Sequence, residues 1–238
     1  MEPSRLPIEK IISGGQTGAD EGGLIVGKML GIPTGGVMPK GFRTEQGPRP
    51  EYAELYGVTE HHSDSYVPRT HMNARNGTGT IRIARDFNSP GEKCTLAGIR
   101  KAKRPYIDID ISNPLPIDEV RQWLYGYQIK ILNVAGHSES RAPGVRNFTI
   151  QYLISVLADL SKINQLNLEA FNADKEVLLR NHLGEWVAYS CGLFIGVDET
   201  FDELAAKIRP KAHALIPNVA TTIFIQQVKA KYGEVSGK

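Results

Sequence analysis

Short apolar runs alternate along the chain with longer segments in which apolar residues recur every three or four positions. Ile11 and Ile12 form the first short run, and Leu24, Ile25 and Met29 follow at helical spacing. Such alternation predicts strands joined by helices. Helices are the usual crossover connections between parallel strands, so a parallel sheet is expected. The expected fold class is α/β, an open parallel sheet of the Rossmann-like type with helices on both faces.

The same alternation predicts further elements over the first two thirds of the chain. Predicted strands cover residues 32–37, 80–84, 105–109 and 130–136, and predicted helices cover residues 69–75, 92–103, 117–125 and 145–160. Residues 38–67 are rich in Pro, Gly, Arg and Glu and show little periodicity. A long irregular segment inside a compact domain is usually functional, so this one is a candidate part of a site.

The composition changes after Leu160. The polar stretch 161–167 predicts a linker, with a domain boundary near residue 165. Beyond it the pattern predicts a helix at 174–181, a hairpin of strands 186–189 and 193–197, a helix at 201–208 and a strand at 222–228. We therefore predict a Rossmann-like ligand-binding domain over residues 1–163 and a small α+β accessory domain over residues 168–238, a candidate surface for a protein partner.

The composition limits the partners that the protein is expected to have. Its 238 residues carry a formal net charge of +2 with scattered Lys and Arg, so neither nucleic acid nor a membrane is an expected partner. No apolar run could span a bilayer, and the polar first ten residues differ from a signal peptide. Cys94 and Cys191 are too few for a disulfide scaffold, and no Cys/His cluster predicts a metal. A cytoplasmic protein in a reducing environment is expected.

A glycine-rich turn follows the first predicted strand, where residues 13–20 read SGGQTGAD. Gly14, Gly15 and Gly18 let the backbone come close to a bound group, and the Thr17 hydroxyl adds a donor. Free N–H groups and the dipole at the start of a helix favour an anion, so the turn predicts a phosphate-binding loop. It matches neither the P-loop nor the dinucleotide pattern, and a tight turn without a ligand is the alternative.

Two further loops leave the carboxyl ends of predicted strands. Residues 89–91 read SPG, and residues 133–140 read NVAGHSES. Loops at the carboxyl ends of neighbouring parallel strands converge on one crevice, so these two and the glycine-rich turn are expected to meet. Lys40 and Arg43, in the irregular segment, could neutralise a phosphate there, although surface charge is the alternative.

Candidates for catalysis are few. Glu92 and Glu139 are the carboxylates that could act as acid–base groups, and Cys94 has no obvious His or Asp partner. His61, His62 and His71 lie close together but without the carboxylate spacing typical of metal ligands. No catalytic residue is predicted, and binding without turnover is favoured over enzymatic activity, which stays open.

The residues of these loops resemble the family of candidate molybdenum-cofactor carriers, which is related to the LOG-type nucleoside monophosphate phosphoribohydrolases. The resemblance extends to about residue 155. The matching stretches are 12–20, 31–36, 39–43, 69–73, 79–80, 89–95 and 132–144. Together their order and spacing are specific to that family.

This resemblance implies a homo-oligomer with a pocket for the molybdenum cofactor, or for a related phosphorylated pterin or nucleotide. The residues expected to bind this ligand are Gly14, Gly15, Gln16, Thr17, Gly18, Asp20, Lys40, Arg43, Asn73, Thr80, Ser89, Pro90, Gly91, Thr95, Asn133, Ala135, Gly136, Ser138 and Glu139. The sequence departs from the family at three positions. Thr78 replaces an acidic residue, Arg82 interrupts an apolar strand, and Glu92 replaces a small or hydroxyl residue.

Two other functions remain possible. One is hydrolysis of nucleoside 5′-monophosphates to base and ribose phosphate, which would need Glu92 or Glu139 at the reacting centre. The chain lacks the Pro-Gly-Gly-x-Gly-Thr-x-x-Glu signature of the phosphoribohydrolases, which lowers the expectation of that activity. The other is a nucleotide sensor whose small domain signals to a partner.

Overall fold

The computed structural model of the protein describes residues 6–215 and 223–229. Contacts divide the chain after Leu157 into two compact units. No helix in the described ranges combines the length and the apolar character that crossing a bilayer would require.

The first unit alternates strands and helices along the chain. Its strands are β1 (Lys10–Ser13), β2 (Thr34–Met38), β3 (Arg43–Thr44), β4 (Gly47–Pro48), β5 (Val58–Glu60), β6 (Gly79–Ala84), β7 (Tyr106–Asp110) and β8 (Ile131–Gly136). Its helices are α1 (Ala19–Met29), α2 (Tyr52–Tyr56), α3 (Tyr66–Asn76), α4 (Pro90–Ala102), α5 (Ile117–Gly126) and α6 (Val145–Leu157).

Six of these strands form one parallel sheet in the order β5-β2-β1-β8-β6-β7. Helix α1 packs on β1 and β8 and against α6, whereas α3 packs on β2 and against α4. All six residues of β6 are buried, as expected for a central strand that helices cover on both faces. The predicted Rossmann-like α/β fold is confirmed.

The predicted irregular segment 38–67 contains regular structure that the periodicity did not reveal. Strand β5 pairs with β2 at the edge of the sheet, helix α2 precedes it, and β3 and β4 form a short hairpin. The prediction of an irregular segment is wrong at these points. In β5 only Val58 is buried while Thr59 and Glu60 are exposed, so a three-residue edge strand carries no clear hydrophobic pattern.

The second unit is a small α+β arrangement, as predicted. It contains helix α7 (Leu160–Asn181), strands β9 (Trp186–Ser190) and β10 (Leu193–Asp198), helix α8 (Phe201–Leu215) and strand β11 (Ile223–Gln227). The strands form an antiparallel sheet in the order β10-β9-β11. Leu178 of α7 packs with Val187 and Tyr189, whereas Leu204 of α8 packs with Ala188, so the alternating residues of β9 place one helix on each face.

The predicted linker at residues 161–167 is wrong, because these residues form the first turns of α7. Asp159 caps the helix by accepting a hydrogen bond from the Lys162 N–H (2.8 Å), and Ile163 is buried. Asn167 is also buried, and its side chain accepts a hydrogen bond from the Gly192 N–H (2.7 Å). A polar residue with an internal partner was misinterpreted as a solvent-exposed one. Thr222, where a last strand was predicted to begin, lies outside the described residues.

At Gly36 the backbones of β1 and β2 approach each other too closely for a side chain. A Cβ atom at this position would lie 1.9 Å from the Ser13 carbonyl oxygen, and the φ of Gly36 is 128°. We expect Gly36→Ala to lower the free energy of unfolding by at least about 2 kcal/mol, measured by urea denaturation. The control Gly126→Ala, at the end of α5 where a Cβ atom meets nothing within 4 Å, should change it by less than about 1 kcal/mol. Equal effects of both changes would contradict the close approach.

Candidate functional site

The carboxyl ends of β1 and β8 lie side by side where the strand order changes direction. The chain proceeds from β1 outward to β2 on one side, and β8 later inserts between β1 and β6. Ligands of open parallel sheets bind in the crevice at such a switch point. The glycine-rich turn 14–18 leaves β1 here, and the loop 137–144 leaves β8 beside it.

The three loops that the topology predicted to converge are in contact. A Cβ atom at Gly18 would lie 2.5 Å from the His137 carbonyl oxygen, which also accepts a hydrogen bond from the Ala19 N–H (3.0 Å). The His137 ring bridges to the loop after β6, because it lies 2.9 Å from the Asp86 carbonyl oxygen and 3.4 Å from the Arg85 nitrogen. Burial lowers the pKa of His137, so the neutral ring that these contacts require is favoured at neutral pH.

Asp20 lies behind the glycine-rich turn and holds it in place. Its carboxylate accepts hydrogen bonds from the Gln16 N–H (3.3 Å) and from Nη1 of Arg69 (3.1 Å), and it is almost fully buried. Burial raises the pKa of Asp20 above its ordinary value, and the Arg69 guanidinium opposes that rise. In the structure Asp20, which the sequence predicted to contact the ligand, supports the glycine-rich turn.

Arg69 is the buried cation of the site, although the sequence reasoning did not include it. A Cβ atom at Gly14 would fall 1.3 Å from Arg69 Nη1, so the guanidinium packs directly against the turn. Its Nε atom is buried and has no hydrogen-bond partner among the described residues, and the Tyr66 ring lies 5.3 Å from its Cζ. Arg69 belongs to a stretch that matched the family, and this was the available signal.

Glu45 is the second residue that the sequence reasoning missed. It lies at the turn between β3 and β4, and its carboxylate accepts hydrogen bonds from the Thr17 hydroxyl and from the Ser140 hydroxyl and N–H. Its own N–H donates to Oε1 of Gln16 (2.9 Å). The irregular segment thus contributes an acidic group to the site, where the sequence predicted only cations.

The predicted cations Lys40 and Arg43 lie on the surface. Both residues are exposed, and Arg43 pairs with Asp64 at 3.7 Å and lies over the Tyr66 ring at 5.9 Å. The nearest cation to the glycine-rich turn is therefore Arg69 on α3, since it contacts Gly14.

Three predicted polar contacts are buried between elements of the first unit. The Asn73 side chain exchanges two hydrogen bonds of 2.9 Å with the Val37 backbone, which attaches α3 to β2. Nδ2 of Asn133 donates to the Thr80 hydroxyl (3.2 Å), and Oδ1 of Asn133 has no partner among the described residues. Asn73 and Thr80 therefore hold elements together, whereas Asn133 retains an unpaired acceptor.

The loop after β6 leads into α4 through a conventional helix cap. The Ser89 hydroxyl accepts a hydrogen bond from the Glu92 N–H (3.3 Å), and Pro90 occupies the first helical position. The Thr95 hydroxyl donates to the Gly91 carbonyl oxygen (3.1 Å), so its donor is used within the helix. In the structure Ser89, Pro90 and Thr95 thus shape the start of α4.

Two departures from the family, Arg82 and Glu92, compensate each other. Arg82 is fully buried in β6, with Nη2 2.5 Å from Asp108 on β7 and Nη1 3.5 Å from Oε2 of Glu92 on α4. Burial raises the pKa of Glu92 to about 7, with Arg82 opposing the rise. Glu92 therefore faces a buried cation of the sheet, while its Oε2 atom has no hydrogen-bond partner among the described residues.

The loop after β8 uses its own carboxylate to cap the next helix. Glu139 accepts hydrogen bonds from the N–H groups of Gly144 (2.5 Å) and Arg146 (3.0 Å) at the start of α6. The Glu139 N–H lies 3.3 Å from the Thr17 hydroxyl, and Ser138 and Ser140 face each other at 3.2 Å. Ala135 and Gly136 end β8, and a Cβ atom at Gly136 would lie 1.9 Å from the Ile83 carbonyl oxygen.

The raised pKa of Glu92 predicts a pH dependence of stability. The folded protein binds this proton more tightly than the unfolded chain, whose Glu has a pKa near 4.5, so Glu92 makes stability fall as the pH rises from 4.5 to 7. We expect the wild type to lose up to a few kcal/mol relative to Glu92→Gln across this range, in urea denaturation at several pH values. Glu54→Gln, at an exposed position, should show no such trend. A constant difference between wild type and Glu92→Gln would refute the shift.

Comparisons with known proteins agree with the fold of the first unit. Residues 11–157 match the circularly permutated YpsA SLOG family. The crystal structure of a candidate molybdenum carrier protein from Syntrophus aciditrophicus SB is similar, with 32% identity and a TM-score of 0.60, and the similarity covers 65% of this chain and 98% of that chain. None of the curated proteins matches. The resemblance inferred from the sequence is confirmed, and the chain belongs to the circularly permutated YpsA SLOG family.

Proposed function

We propose that the protein binds a phosphorylated small molecule, the molybdenum cofactor or a related pterin or nucleotide, at the carboxyl ends of β1 and β8. The structural relative from Syntrophus aciditrophicus SB is named as a candidate molybdenum carrier, and the family match covers the sheet that forms the crevice from Ile11 onward. The glycine-rich turn, the loop after β8 and the loop after β6 would enclose the phosphorylated end.

The main support for this proposal is the buried guanidinium of Arg69, which lies against the glycine-rich turn. A buried guanidinium is costly unless its donors are paired, and Nε of Arg69 has no partner among the described residues. Its Nη1 lies against Gly14, so the cation is presented to the turn that would hold the phosphate. A phosphate is a good partner for guanidinium donors, because the fork geometry allows two parallel hydrogen bonds.

The contacts of the acidic residues favour binding over hydrolysis. Glu92 pairs with Arg82, and Glu139 caps α6, so both candidate acid–base groups are engaged in the structure. A hydrolase would have to free one of them for the reacting centre. A carrier that retains its ligand unchanged needs neither.

Gly14→Ala tests the site without changing its charge. The new Cβ atom would displace the Arg69 guanidinium, so we expect at least about a tenfold loss of affinity, the order of magnitude of one charged hydrogen bond. The purified protein would be mixed with the molybdenum cofactor and gel-filtered, and the molybdenum and pterin eluting with it would be quantified. Gly126→Ala serves as the matched control, and thermal unfolding would verify that both variants fold.

The outcome separates the carrier from its alternatives. Stoichiometric co-elution that Gly14→Ala abolishes and Gly126→Ala preserves supports cofactor binding. Retention that survives Gly14→Ala would place the ligand elsewhere. Incubation with nucleoside 5′-monophosphates is the second assay, in which release of free base, lost in Glu92→Gln, would replace the carrier with the hydrolase.

A further inference from the structure

The carboxylate of Glu45 occupies a set of donors that two separate loops present together. Oε1 accepts hydrogen bonds from the Thr17 hydroxyl and from the Ser140 N–H (3.0 Å), and Oε2 accepts one from the Ser140 hydroxyl. Thr17 belongs to the glycine-rich turn after β1, whereas Ser140 belongs to the loop after β8. These donors form an anion site, and a side chain of the protein itself fills it.

We propose that the phosphoryl group of the ligand binds to these donors of Thr17 and Ser140 in competition with Glu45, which closes the site when no ligand is bound. The inference rests on the proposed function and specifies where in the crevice the phosphate binds. Carboxylate and phosphoryl oxygens accept hydrogen bonds from the same N–H and O–H donors, so one group can replace the other. Two anions cannot share the donors, because like charges at this distance repel each other.

Among the carboxylates around the crevice, Glu45 is the one suited to displacement. Asp20 is almost fully buried and ion-paired with Arg69, so its removal would leave a buried charge without a partner. Glu139 binds N–H groups at the start of the next helix, α6, five and seven residues along the chain. Glu45 is exposed, and it reaches donors that lie 28 and 95 residues away in sequence.

The hairpin of β3 and β4 can carry Glu45 away from the donors as a unit. Its turn is stabilised internally, because the Thr44 hydroxyl donates to the Gly47 carbonyl oxygen (2.7 Å) and accepts from the Gln46 N–H (3.1 Å). The hydrogen bonds that join Glu45 to Ser140 and Gln16 are exposed, so water can replace them at little net cost, whereas the one from the Thr17 hydroxyl is partly buried. A ligand that brings its own anion can therefore release the hairpin at low cost.

The competition operates at neutral pH because Glu45 stays ionised there. Partial burial acts to raise its pKa, but hydrogen bonds from Ser140, Thr17 and Ser138 outweigh it and lower the pKa below the ordinary value. Arg69 lies beside the turn and pairs with Asp20 rather than with Glu45, so a cation for the incoming phosphate is held independently of Glu45.

Replacing Glu45 by Gln removes the charge and keeps the shape of the side chain. We expect Glu45→Gln to bind inorganic phosphate about five- to tenfold more tightly than the wild type, the order of magnitude of one nearby screened charge. The dissociation constants would be measured by titration with inorganic phosphate followed by ³¹P NMR. Glu54→Gln, an exposed residue of α2, makes the same change in net charge and should leave the constant unaltered.

A second variant shows where the phosphate binds. Adding Ser140→Ala to Glu45→Gln removes one of the donors, and it should abolish the gain in affinity. Equal phosphate affinities of wild type and Glu45→Gln, or a gain that Ser140→Ala leaves intact, would overturn the inference even if the cofactor co-elutes with the protein. A gain confined to Glu45→Gln together with no retention of cofactor or nucleotide would support the anion site and refute the proposed function.

Discussion

The candidate site depends on backbone segments that approach one another too closely for side chains to stand between them. A Cβ atom would lie 1.9 Å from the Ser13 carbonyl oxygen at Gly36 and 2.5 Å from the His137 carbonyl oxygen at Gly18. At Gly14 it would lie 1.3 Å from the Arg69 side chain, which packs directly on the turn. Glycine at these positions lets the carboxyl ends of β1, β2 and β8 lie close together, so that the loops after β1 and β8 are in direct contact. The packing of the sheet and the geometry of the crevice are therefore set by the same residues.

The second feature of this edge of the sheet is that carboxylates pair with the cation and the hydrogen-bond donors that gather there. Asp20 supports the turn from behind with Arg69, Glu139 caps α6, and Glu45 covers the donors of Thr17 and Ser140. Each carboxylate satisfies donors that strand ends and helix starts leave unpaired. In the binding mode that we propose, a phosphate entering this edge would have to displace Glu45 from the donors of Thr17 and Ser140.

The convergence of the loops could be predicted from the sequence because it follows from the order of strands and helices. The periodicity of residues 19–29 and 145–157 and the short apolar strands fix a parallel sheet, whose carboxyl ends bring the loops together. Arg69 and Glu45 could not be placed in this way. Their roles depend on tertiary contacts across 49 and 95 residues of sequence, which no local pattern encodes.

Residues that seemed anomalous in the sequence are explained by their partners in space. Arg82 interrupts an apolar strand and Glu92 follows Pro-Gly, and each looked unfavourable alone. In the structure they face each other, with Asp108 completing the group. A single sequence shows the two departures but not the pairing, because β6 and α4 approach only after folding.

The most direct test of the account is a map of where the phosphorylated ligand binds. Backbone amide signals of isotope-labelled protein would be followed by NMR while the molybdenum cofactor, or AMP as a nucleotide, is added. The account predicts that the shifted signals concentrate in residues 14–18 and 137–140 and in the turn that carries Glu45. Shifts concentrated in the second unit, or on the surface of α5, would contradict it.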